Sequence, residues 1–407
     1  MKETGIVATE ILLPDVSDLS SFACVACDQF TGDENYWKEL EEKVADKPSA
    51  LNLVLPEIYL GDGQEKRIEK INRNIEEYLG KGLFKTLPKG FVLTVRETPF
   101  VKRRIGIIGA VDLEKYEYAK KSSALVRSTE GTIEERIPPR LAIRKNAAAE
   151  FPHIMILFDD EKKEIAEKLF EKRDSFEKLY DFTLNMGGGR VAGWFVPDKE
   201  GVAEAFSGLL DEERLTKKYG KADEFVFAVG DGNHSLATAK ACWNEVKKTL
   251  SEEERKTHPA RFALAEFNNI YDEGIYFEPI YRFVSGVDRK RFVSEINGVK
   301  GRFGVTDGND LTVKGSREGL PESVAAVDGF IKNYIAENGG KVDYIHGEKN
   351  LFSMVKRDET AVGVTFDKLK KEELFRYVSA NGSLPRKTFS MGEGVEKRYY
   401  LEGKRIR

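Results

Sequence analysis

The spacing of apolar residues changes along the chain, which predicts a fold that mixes helices with strands. Residues 225–229 are apolar without a break, as in a strand that is buried on both faces. Residues 236–250 follow as a predicted helix. Within residues 64–79, isoleucines recur at helical spacing with charged residues between them, which predicts an amphipathic helix. The sequence therefore predicts an α/β protein, of the mixed α+β kind, built around a strand–loop–helix unit.

Weaker patterns add further elements on both sides of this unit. The stretch 161–180 is predicted as one long amphipathic helix, and the triple glycine at 187–189 as a turn between strands. The remaining patterns predict strands at 22–26, 91–96, 104–111, 154–158, 191–196, 343–345 and 361–366, a strand pair at 263–268 and 275–280, and helices at 36–44 and 323–336.

The length of the chain sets the number of folding units. A chain of 407 residues exceeds one ordinary core and favours about two or three units. Changes in local character divide it into three regions, at 1–120, 121–285 and 286–407, with the strand–loop–helix unit in the central one. No low-complexity linker separates these regions, so their boundaries are soft.

Composition narrows the classes of protein to which the chain can belong. Its 65 basic and 69 acidic side chains give a net charge of −4, without the clustered Lys and Arg on which generic nucleic-acid binding depends. The first residues lack a secretory signal, and no apolar run approaches the roughly 20 residues that span a bilayer. The three cysteines form no disulfide framework. We therefore expect a cytoplasmic protein that binds neither nucleic acid nor membrane.

The segment VGDGNHS at residues 229–235 carries the strongest chemical signal. Gly230 and Gly232 allow positive φ and a close approach of a ligand to the backbone. Ser235 is placed to cap the following helix, whose first amide groups lack partners and attract phosphate or carboxylate. The strand, the glycines and the helix end together predict an anion site.

Two side chains of this loop have reactive groups. Asp231 can hold a divalent cation or orient a hydroxyl group, and His234 can donate to a phosphate oxygen or carry a proton. The same loop also suits a plain connector in which Asp231, Asn233 and His234 bond to the local backbone, because Asp-Gly-Asn is ordinary turn chemistry. The residues alone leave both interpretations open.

A second polar segment, RSTEGT at residues 127–132, is followed by further arginines up to Arg144. Guanidinium groups such as that of Arg127 bind phosphate in a bidentate manner, and Glu130 in their midst suits a general base. The alternative is a solvated loop with surface ion pairs worth about 0–1 kcal/mol each. We weigh the two interpretations equally.

Other signals point to no chemistry. Cys24 and Cys27 have no second cysteine pair, and two thiolates leave half of a structural zinc shell empty. The glycines at 187–189 lack the Lys-Ser/Thr that completes a Walker phosphate loop. The chain contains no nucleophile elbow, no His-Glu-x-x-His motif and no dinucleotide fingerprint.

Short motifs spread along the chain resemble domain-of-unknown-function family 1015 (DUF1015). The resemblance covers nearly the whole chain, and the length of its motifs makes it specific. The family as a whole has no settled biochemical role. The motifs lie at residues 26–31, 127–132, 135–140, 230–240, 270–274, 277–282 and 384–389.

The Asp-Gly-x-His motif of this family is similar to the Asp-Gly-His-His-Arg loop of free-serine kinases, which have the ParB/sulfiredoxin-like fold. In that fold the loop binds nucleotide phosphates, and a separate glutamate is the catalytic base. By this resemblance Asp231 and His234 match the kinase loop. Glu130 is the candidate base, on a looser match.

The loop departs from the kinase pattern at two positions. Asn233 replaces the first histidine of the pair, and Ser235 replaces the arginine, which removes a phosphate-binding charge. Arg282, or an arginine of the 127–144 segment, would have to supply that charge.

The resemblance and the residues together imply a small-molecule phosphotransferase with a core like the ParB/sulfiredoxin-like fold. It would use ATP or ADP with Mg²⁺ to phosphorylate a serine-like hydroxylated metabolite, with a homodimer left open. Two alternatives use the same pocket, namely a noncatalytic nucleotide-sensing module and a metabolic hydrolase. The expected catalytic residues are Glu130, Asp231 and His234, the expected nucleotide-binding residues are Gly230, Gly232, Asn233, Ser235, Arg127 and Arg282, and the expected metal ligand is Asp231.

Overall fold

The computed structural model describes residues 2–25, 30, 33–61, 63–132 and 134–407. The chain divides into two units, one formed by residues 1–275 with 393–407 and the other by residues 276–392. The sequence predicts region boundaries at 120 and 285. The first of these falls between two strands of one sheet, so the change in sequence character there occurs inside a single unit.

The first unit alternates strands and helices over most of its length. In chain order its strands and α-helices up to residue 275 are β1 (Ile6–Val7), β2 (Thr9–Pro14), α1 (Leu19–Phe22), α2 (Glu34–Val44), α3 (Gln64–Gly80), β3 (Phe84–Glu97), β4 (Arg104–Asp112), β5 (Tyr116–Glu117), β6 (Val126–Ser128), α4 (Ile137–Lys145), β7 (Ala149–Glu150), β8 (Met155–Phe158), α5 (Ala166–Glu171), β9 (Glu177–Leu184), β10 (Gly189–Pro197), α6 (Val202–Ser207), α7 (Glu212–Tyr219), β11 (Phe227–Asp231), α8 (Asn233–Val246), α9 (Glu252–Thr257) and β12 (Phe262–Asn269). Single-turn 3₁₀ helices connect several of them.

One mixed sheet forms the centre of this unit. Its strand order is β5-β6-β11-β8-β12-β4-β3-β10-β9, with β1 paired to β4 and β2 paired to β3. Successive residues of β4 point to opposite faces of the sheet and pack in different hydrophobic clusters. Ile107 packs in a cluster with Val229 and Trp243, while Ile108 packs in a cluster with Trp37. Both faces of the sheet are therefore covered, and β4 is buried at every position.

The second unit is smaller and has its own sheet, whose strands pair in antiparallel fashion. Its elements are β13 (Phe277–Ser285), α10 (Arg289–Ile296), β14 (Phe303–Thr306), β15 (Leu311–Lys314), α11 (Leu320–Asn338), β16 (Lys341–His346), α12 (Glu348–Arg357), β17 (Val362–Thr365), α13 (Lys371–Asn381) and β18 (Phe389–Met391). The strand order is β15-β14-β17-β13-β16, with β18 paired to β13. The mixed α/β class predicted from the sequence is thus confirmed in both units. No helix in the described ranges has the length and hydropathy needed to cross a membrane.

Several individual predictions are confirmed as well. The segments 91–96 and 104–111 pair in antiparallel fashion as β3 and β4, and the triple-glycine turn joins β9 to β10. The apolar spacing of 64–79 becomes α3, with Ile68, Ile71 and Ile75 buried. Predicted helices at 36–44, 236–250 and 323–336 correspond to α2, α8 and α11.

The long helix predicted over 161–180 is wrong. The structure has a short helix, α5, followed by the strand β9. The ring of Tyr180 occupies the space beside Gly193 on β10, where a Cβ atom would lie 2.2 Å from its Cζ. Pairing with β10 thus overrides the local helical pattern, because a strand gains its stability from neighbours distant in sequence.

The strand pair predicted at 263–268 and 275–280 is also wrong. The first segment is β12, whose two edges are taken by β4 and β8. The second is part of β13, which pairs with β16, β17 and β18 in the other unit. A strand has only two edges for backbone pairing, so β12 has none left for β13.

The strand predicted at 22–26 is replaced by a different arrangement. Helix α1 ends at Phe22, and Cys24 forms an isolated β-bridge with Tyr400. Ala26 lies outside the described residues. The apolar character of the segment reflects burial, since Phe22, Ala23 and Cys24 are fully buried.

Residues 393–407, called here the closing segment, return to the first unit and are held by a buried guanidinium group. Arg96 on β3 donates hydrogen bonds to the carbonyl oxygens of Gly188, Val395, Glu396 and Lys397. Burial and the nearby Arg104 lower the pKa of Arg96 to about 9, so the group is still protonated and donating at neutral pH. The closing segment ends in β19 (Lys404–Arg405), which pairs with β7.

A buried ion-pair network anchors the same segment a second time. Arg398 donates to Glu266 on β12 and to Glu402, each at 2.8 Å. Burial alone would raise the pKa of Glu266, but the charges of Arg104 and Arg398 outweigh it and lower that pKa. Removing one partner of such a network leaves an uncompensated buried charge, which strongly destabilises a fold.

We predict that Arg96→Met lowers the free energy of unfolding of the first unit by about 3 kcal/mol or more, because several buried carbonyls lose their donor at once. Urea denaturation followed by tryptophan fluorescence measures this. Trp37, Trp194 and Trp243 are the tryptophans of the chain, and all lie in the first unit.

The matched control for this change is Arg190→Met on the neighbouring strand β10. Arg190 is largely exposed and pairs with Asp181 on β9, and surface ion pairs contribute little to stability. If Arg96→Met cost no more stability than Arg190→Met, the closing segment would not depend on the buried guanidinium.

Candidate functional site

The candidate site begins where β11 ends. β11 pairs with β8, but the register shifts between Val229 and Asp231, which makes Gly230 the extra residue of a β-bulge. A bulge bends its strand and redirects the side chains that follow. Asp231 is accordingly the last residue of β11 and is partly exposed, although the strand begins fully buried.

Gly232 turns the chain from strand into helix. Its φ of 78° and ψ of 27° lie in the left-handed region, which favours glycine. A Cβ atom at this position would lie 3.1 Å from Cα of Ile154. A side chain at this position would therefore be tightly packed against the residue that precedes β8, and the neighbouring backbone would have to shift by a few tenths of an ångström.

Ser235 does not cap the helix, so the cap predicted from the sequence is wrong. Helix α8 begins at Asn233, and its N-cap is Gly232, without a side-chain cap. The carbonyl of Gly232 accepts the first helical bond, from the amide of Leu236 at 3.0 Å. Ser235 therefore lies inside the first turn.

The first turn of α8 offers the chemistry of an anion site. The amide groups of its opening residues, Asn233, His234 and Ser235, precede the first helical hydrogen bond and point out of the helix end. Their partial positive charge adds to that of the helix dipole. His234 and Ser235 are both partly exposed, so this end of the helix is accessible to solvent.

The neighbouring strand β6 fixes the shape of the loop. β6 runs parallel to β11, with Ser128 opposite Val229, so both strands end at the same edge of the sheet. The hydroxyl of Thr129 donates to the carbonyl of Val229 at 2.5 Å, and Nδ2 of Asn233 approaches that carbonyl at 3.4 Å. The loop is thus tied to the chain segment that follows β6.

Glu130 lies in that segment and is partly exposed. Oγ of Ser128 lies 2.6 Å from the carbonyl oxygen of Glu130 and 2.5 Å from Oδ1 of Asn233. One hydroxyl group therefore bridges the backbone of Glu130 and the first residue of α8. That the side chains of Glu130, Asp231 and His234 converge on one pocket stays a prediction.

Lys397 is a residue that sequence analysis did not single out. It is 3% exposed, and its Nζ lies 3.4 Å from Oδ2 of Asp231, while Oδ1 of Asp231 accepts a hydrogen bond from the amide of Gly232 at 3.0 Å. In sequence Lys397 is one charge among several in the closing segment. Nothing in its local pattern distinguishes it from a surface lysine.

The two arginines expected to bind phosphate are each held by a carboxylate. Arg127 makes two bonds to Asp223, at 2.7 and 2.5 Å, and lies over the ring of Phe225. Arg282 is fully buried in the second unit and makes two bonds to Asp328, at 2.7 and 2.8 Å. A phosphate-binding role for either residue stays a prediction, and it would require a bidentate ion pair to break.

The potential metal ligands of the described residues are not clustered. Among its residues no group of three His, Cys, Asp or Glu side chains is arranged to hold a metal ion. Cys24 is fully buried, and burial raises the pKa of its thiol to about 12, which disfavours the thiolate that zinc requires. Cys27, the second cysteine for which no zinc site was predicted, lies outside the described residues.

Comparison with known proteins identifies a family and several distant solved structures. A family model described as "Protein of unknown function (DUF1015)" matches residues 13–383. No curated protein matches the chain.

Three solved structures are similar at low identity. A conserved hypothetical protein from Pyrococcus furiosus is 10% identical, with 72% of this chain and 93% of that chain covered at a TM-score of 0.36. A free serine kinase in complex with AMP is 9% identical, with 74% and 92% covered at a TM-score of 0.39. SbnI from Staphylococcus aureus, with a C-terminal truncation, is 10% identical, with 70% and 82% covered at a TM-score of 0.37.

We predict that Gly232→Ala destabilises the first unit more than Gly220→Ala does, by at least about 1 kcal/mol in the urea experiment. Both glycines have a φ of 78°, so both changes introduce the strain of a left-handed conformation. Only at Gly232 does the new Cβ also meet Ile154, because nothing lies within 4 Å of it at Gly220. Equal losses would show that the loop can move away from β8 at no cost.

Proposed function

Because this chain belongs to the DUF1015 family, whose members have no settled role, its activity must be inferred from its own site, and we propose that it is a small-molecule phosphotransferase. It transfers a phosphoryl group from a nucleotide to the hydroxyl group of a serine-like metabolite in the cytoplasm. The loop at residues 229–235 and the segment around Glu130 form the site. The nucleotide is ATP or ADP, and in the reaction described below ATP is the donor and ADP the product.

The observation that carries the proposal is the parallel pairing of β6 with β11. It brings a glutamate-bearing segment and a glycine-bearing helix end to one sheet edge, where Ser128 bridges Glu130 and Asn233. Phosphoryl transfer requires mainly positioning and neutralisation of charge. We expect Glu130 to position the substrate by accepting its proton, and the loop at residues 229–235 to neutralise charge on the phosphate groups.

The loop binds the phosphate groups of the nucleotide. The opening amides of α8 donate to phosphate oxygens, as they do at many helix N-termini, and the absence of a side chain at Gly232 lets the ligand approach the backbone. His234 adds a donor to a phosphate oxygen. This is the role that the sequence resemblance to the kinase loop implies for these residues.

Glu130 accepts the proton of the substrate hydroxyl group. As that oxygen attacks the terminal phosphorus of the nucleotide, a new P–O bond forms, and the bond from phosphorus to the bridging oxygen breaks. The electron pair leaves with the nucleoside diphosphate, and the proton passes to the Glu130 carboxylate. Asp231, partly exposed at the end of β11, orients the hydroxyl group.

The carboxylate of Asp231 also fits a magnesium ion that the nucleotide brings with it. Mg²⁺ is commonly held by one or two carboxylates, with phosphate oxygens and water completing its shell, so one aspartate at the loop is a sufficient protein ligand. When bound, the ion would neutralise charge on the phosphate oxygens.

A second candidate function is a noncatalytic nucleotide-sensing module. The observation that favours it is that Ser235 replaces the loop arginine of the kinases, while Arg127 and Arg282 are engaged with Asp223 and Asp328. A transfer assay with ATP separates the two functions, because only the phosphotransferase releases ADP as it consumes a hydroxylated substrate. A hydrolase would release phosphate without nucleotide.

We predict that ATP and ADP, with Mg²⁺, stabilise the protein in a thermal-shift experiment, by about 2.7 kcal/mol at a hundredfold excess over Kd. Ser235→Arg is expected to tighten ADP binding about tenfold, because it adds a charge-assisted hydrogen bond to phosphate. Parent protein that binds neither nucleotide at millimolar concentration would refute the phosphotransferase and the sensor alike. A folded Ser235→Arg variant with unchanged affinity would argue against a kinase-like use of the loop.

We predict that Glu130→Gln lowers kcat about 100- to 10,000-fold, the usual loss when a general base is removed, and leaves the Kd for ADP nearly unchanged. Release of ADP measures the rate, and calorimetry measures the binding. The control is Glu134→Gln, an exposed glutamate a few residues further along the same segment, which should retain full activity. If both variants behaved alike, Glu130 would not be the base.

A further inference from the structure

We propose that the chain self-associates through the edge strand β15, which pairs in antiparallel fashion with β15 of a second copy. The sequence left a homodimer open, and residues 307–317 supply both a surface and a register for one. The pairing involves the second unit alone, so it does not depend on the activity proposed for the first.

Strand β15 is exposed along most of its length. Leu311, Thr312 and Val313 are exposed, and Lys314 is partly exposed. Val313 is 66% exposed, the largest fraction for a large hydrophobic residue within the described ranges, and Leu311 is 39% exposed. Leu311 and Val313 lie on the same face of the sheet, because successive side chains of a strand alternate between its faces. The strand therefore presents a pair of apolar side chains to solvent.

A glycine on the neighbouring strand explains why Val313 is so exposed. Val313 pairs with Gly304 of β14, which has no side chain to offer across the strand pair. The side chain of Leu311 already lies over this glycine, since a Cβ atom on Gly304 would be 2.8 Å from Cδ1 of Leu311. Cross-strand side-chain pairs stabilise a sheet, and β14 provides none directly opposite Val313. A strand on the other edge of β15 can provide one.

The other edge of β15 is open to such a strand. Within the described ranges β15 pairs with β14 only, so alternate N–H and C=O groups of residues 311–314 are directed away from the sheet. Natural edge strands often prevent further pairing by means of a proline or a bulge. β15 contains no proline, and its register with β14 is regular. Its backbone can therefore act as a template for another strand.

The order of charges along the segment favours a second copy in antiparallel orientation. The acidic residues Asp307 and Asp310 precede the middle of the strand, and the basic residues Lys314 and Arg317 follow it. In antiparallel pairing centred on Thr312, Asp310 of each copy lies opposite Lys314 of the other. Asp307 and Arg317 continue the same match beyond the strand ends. Parallel pairing would instead place like charges side by side, which destabilises a sheet.

Two of these four charges are available to a partner. Asp310 and Arg317 are exposed, and within the described residues neither side chain takes part in a hydrogen bond or an ion pair. Asp307 and Lys314 are bonded to backbone groups of their own chain, so they act on a partner only through the longer-range attraction of their charges. The charge match thus orients the two copies more than it holds them together.

The same register also matches the apolar residues. Leu311 lies opposite Val313 of the second copy, and Thr312 lies opposite its own equivalent on the twofold axis. Each Val313 thereby gains the apolar neighbour that Gly304 does not supply. A pair of such short strands buries less area than a standard interface, so we expect a weak and reversible dimer.

Sedimentation of the full chain over a range of concentrations measures this association. The parent should show a monomer–dimer equilibrium with a Kd below about 100 μM. Val313→Lys places a charge on the pairing face and should weaken the dimer at least about tenfold. Because Val313 is largely exposed, the variant should fold normally, which circular dichroism checks.

The matched control for this variant is Phe100→Lys. Phe100 is likewise a largely exposed apolar residue, at 57%, but it lies between β3 and β4 in the first unit. Its replacement adds the same charge to the protein and should leave the Kd of the dimer unchanged.

A pair of cysteine variants tests the register. Thr312→Cys places two thiols opposite each other across the twofold axis, with Cβ atoms about 4.5–5.5 Å apart, close to the separation that a disulfide spans. Mild oxidation should therefore yield a covalent dimer. Asn309→Cys is the control, because this exposed residue is offset from its equivalent by six positions, or roughly 20 Å along the strand. The native cysteines are common to both variants.

The outcomes decide for or against β15 as the interface. A parent that stays monomeric at about 100 μM would overturn the proposal. A dimer that Val313→Lys leaves intact, or that Phe100→Lys disrupts, would place the interface elsewhere and overturn it as well. Equal cross-linking of the two cysteine variants would rule out the register. Loss of the dimer in Val313→Lys alone, with cross-linking confined to Thr312→Cys, supports it.

Discussion

Arg96 is a buried, positively charged residue of the first unit, and its guanidinium group donates hydrogen bonds to backbone carbonyl oxygens rather than to a carboxylate. Through these bonds the turn at Gly188 and the closing segment are tied to β3. The ion pairs of Arg398 with Glu266 and Glu402 then complete a polar layer inside an apolar core. The position of Lys397 beside Asp231 depends on Arg96, because hydrogen bonds from this guanidinium to the carbonyls of residues 395–397 hold the backbone from which the lysine extends.

The sequence predicted those parts of the fold that depend on local pattern. The continuous apolar run at 225–229 and the spaced isoleucines of α3 are properties of the segment itself. Helix α3 spans the predicted residues, and the apolar run leads into β11, which begins two residues later than predicted. The predictions were wrong where the structure of a segment is determined by residues distant in sequence. Residues 177–180 are helical by local spacing, but Gly193 leaves room for Tyr180, and so the segment pairs as a strand. The separation of β12 from β13 likewise depends on which edges other strands already occupy.

At the candidate site, too, the sequence predicted the local turn but not the contacts between residues distant in sequence. Two glycines around an aspartate signalled a tight strand-to-helix turn, and Gly232 has the positive φ that such a turn needs. Helix α8 begins at Asn233, three residues before the predicted start at 236, because Gly232 serves as N-cap without a side chain. Which carboxylate each arginine meets, and that Lys397 lies beside Asp231, could not be deduced, since neither follows from spacing along the chain.

The position of the closing segment has a consequence for synthesis of the protein on the ribosome. The first unit is interrupted by residues 276–392, and its last residues are 393–407. At about 5–20 residues per second, the intervening stretch takes roughly 6 to 23 s to be made. During that interval the emerging sheet contains a charged Arg96 whose acceptors at 395–397 do not yet exist. The apolar residues that later pack against Tyr399, Tyr400 and Leu401 also stay uncovered in this state, and transiently exposed hydrophobic surface is what makes chaperones necessary.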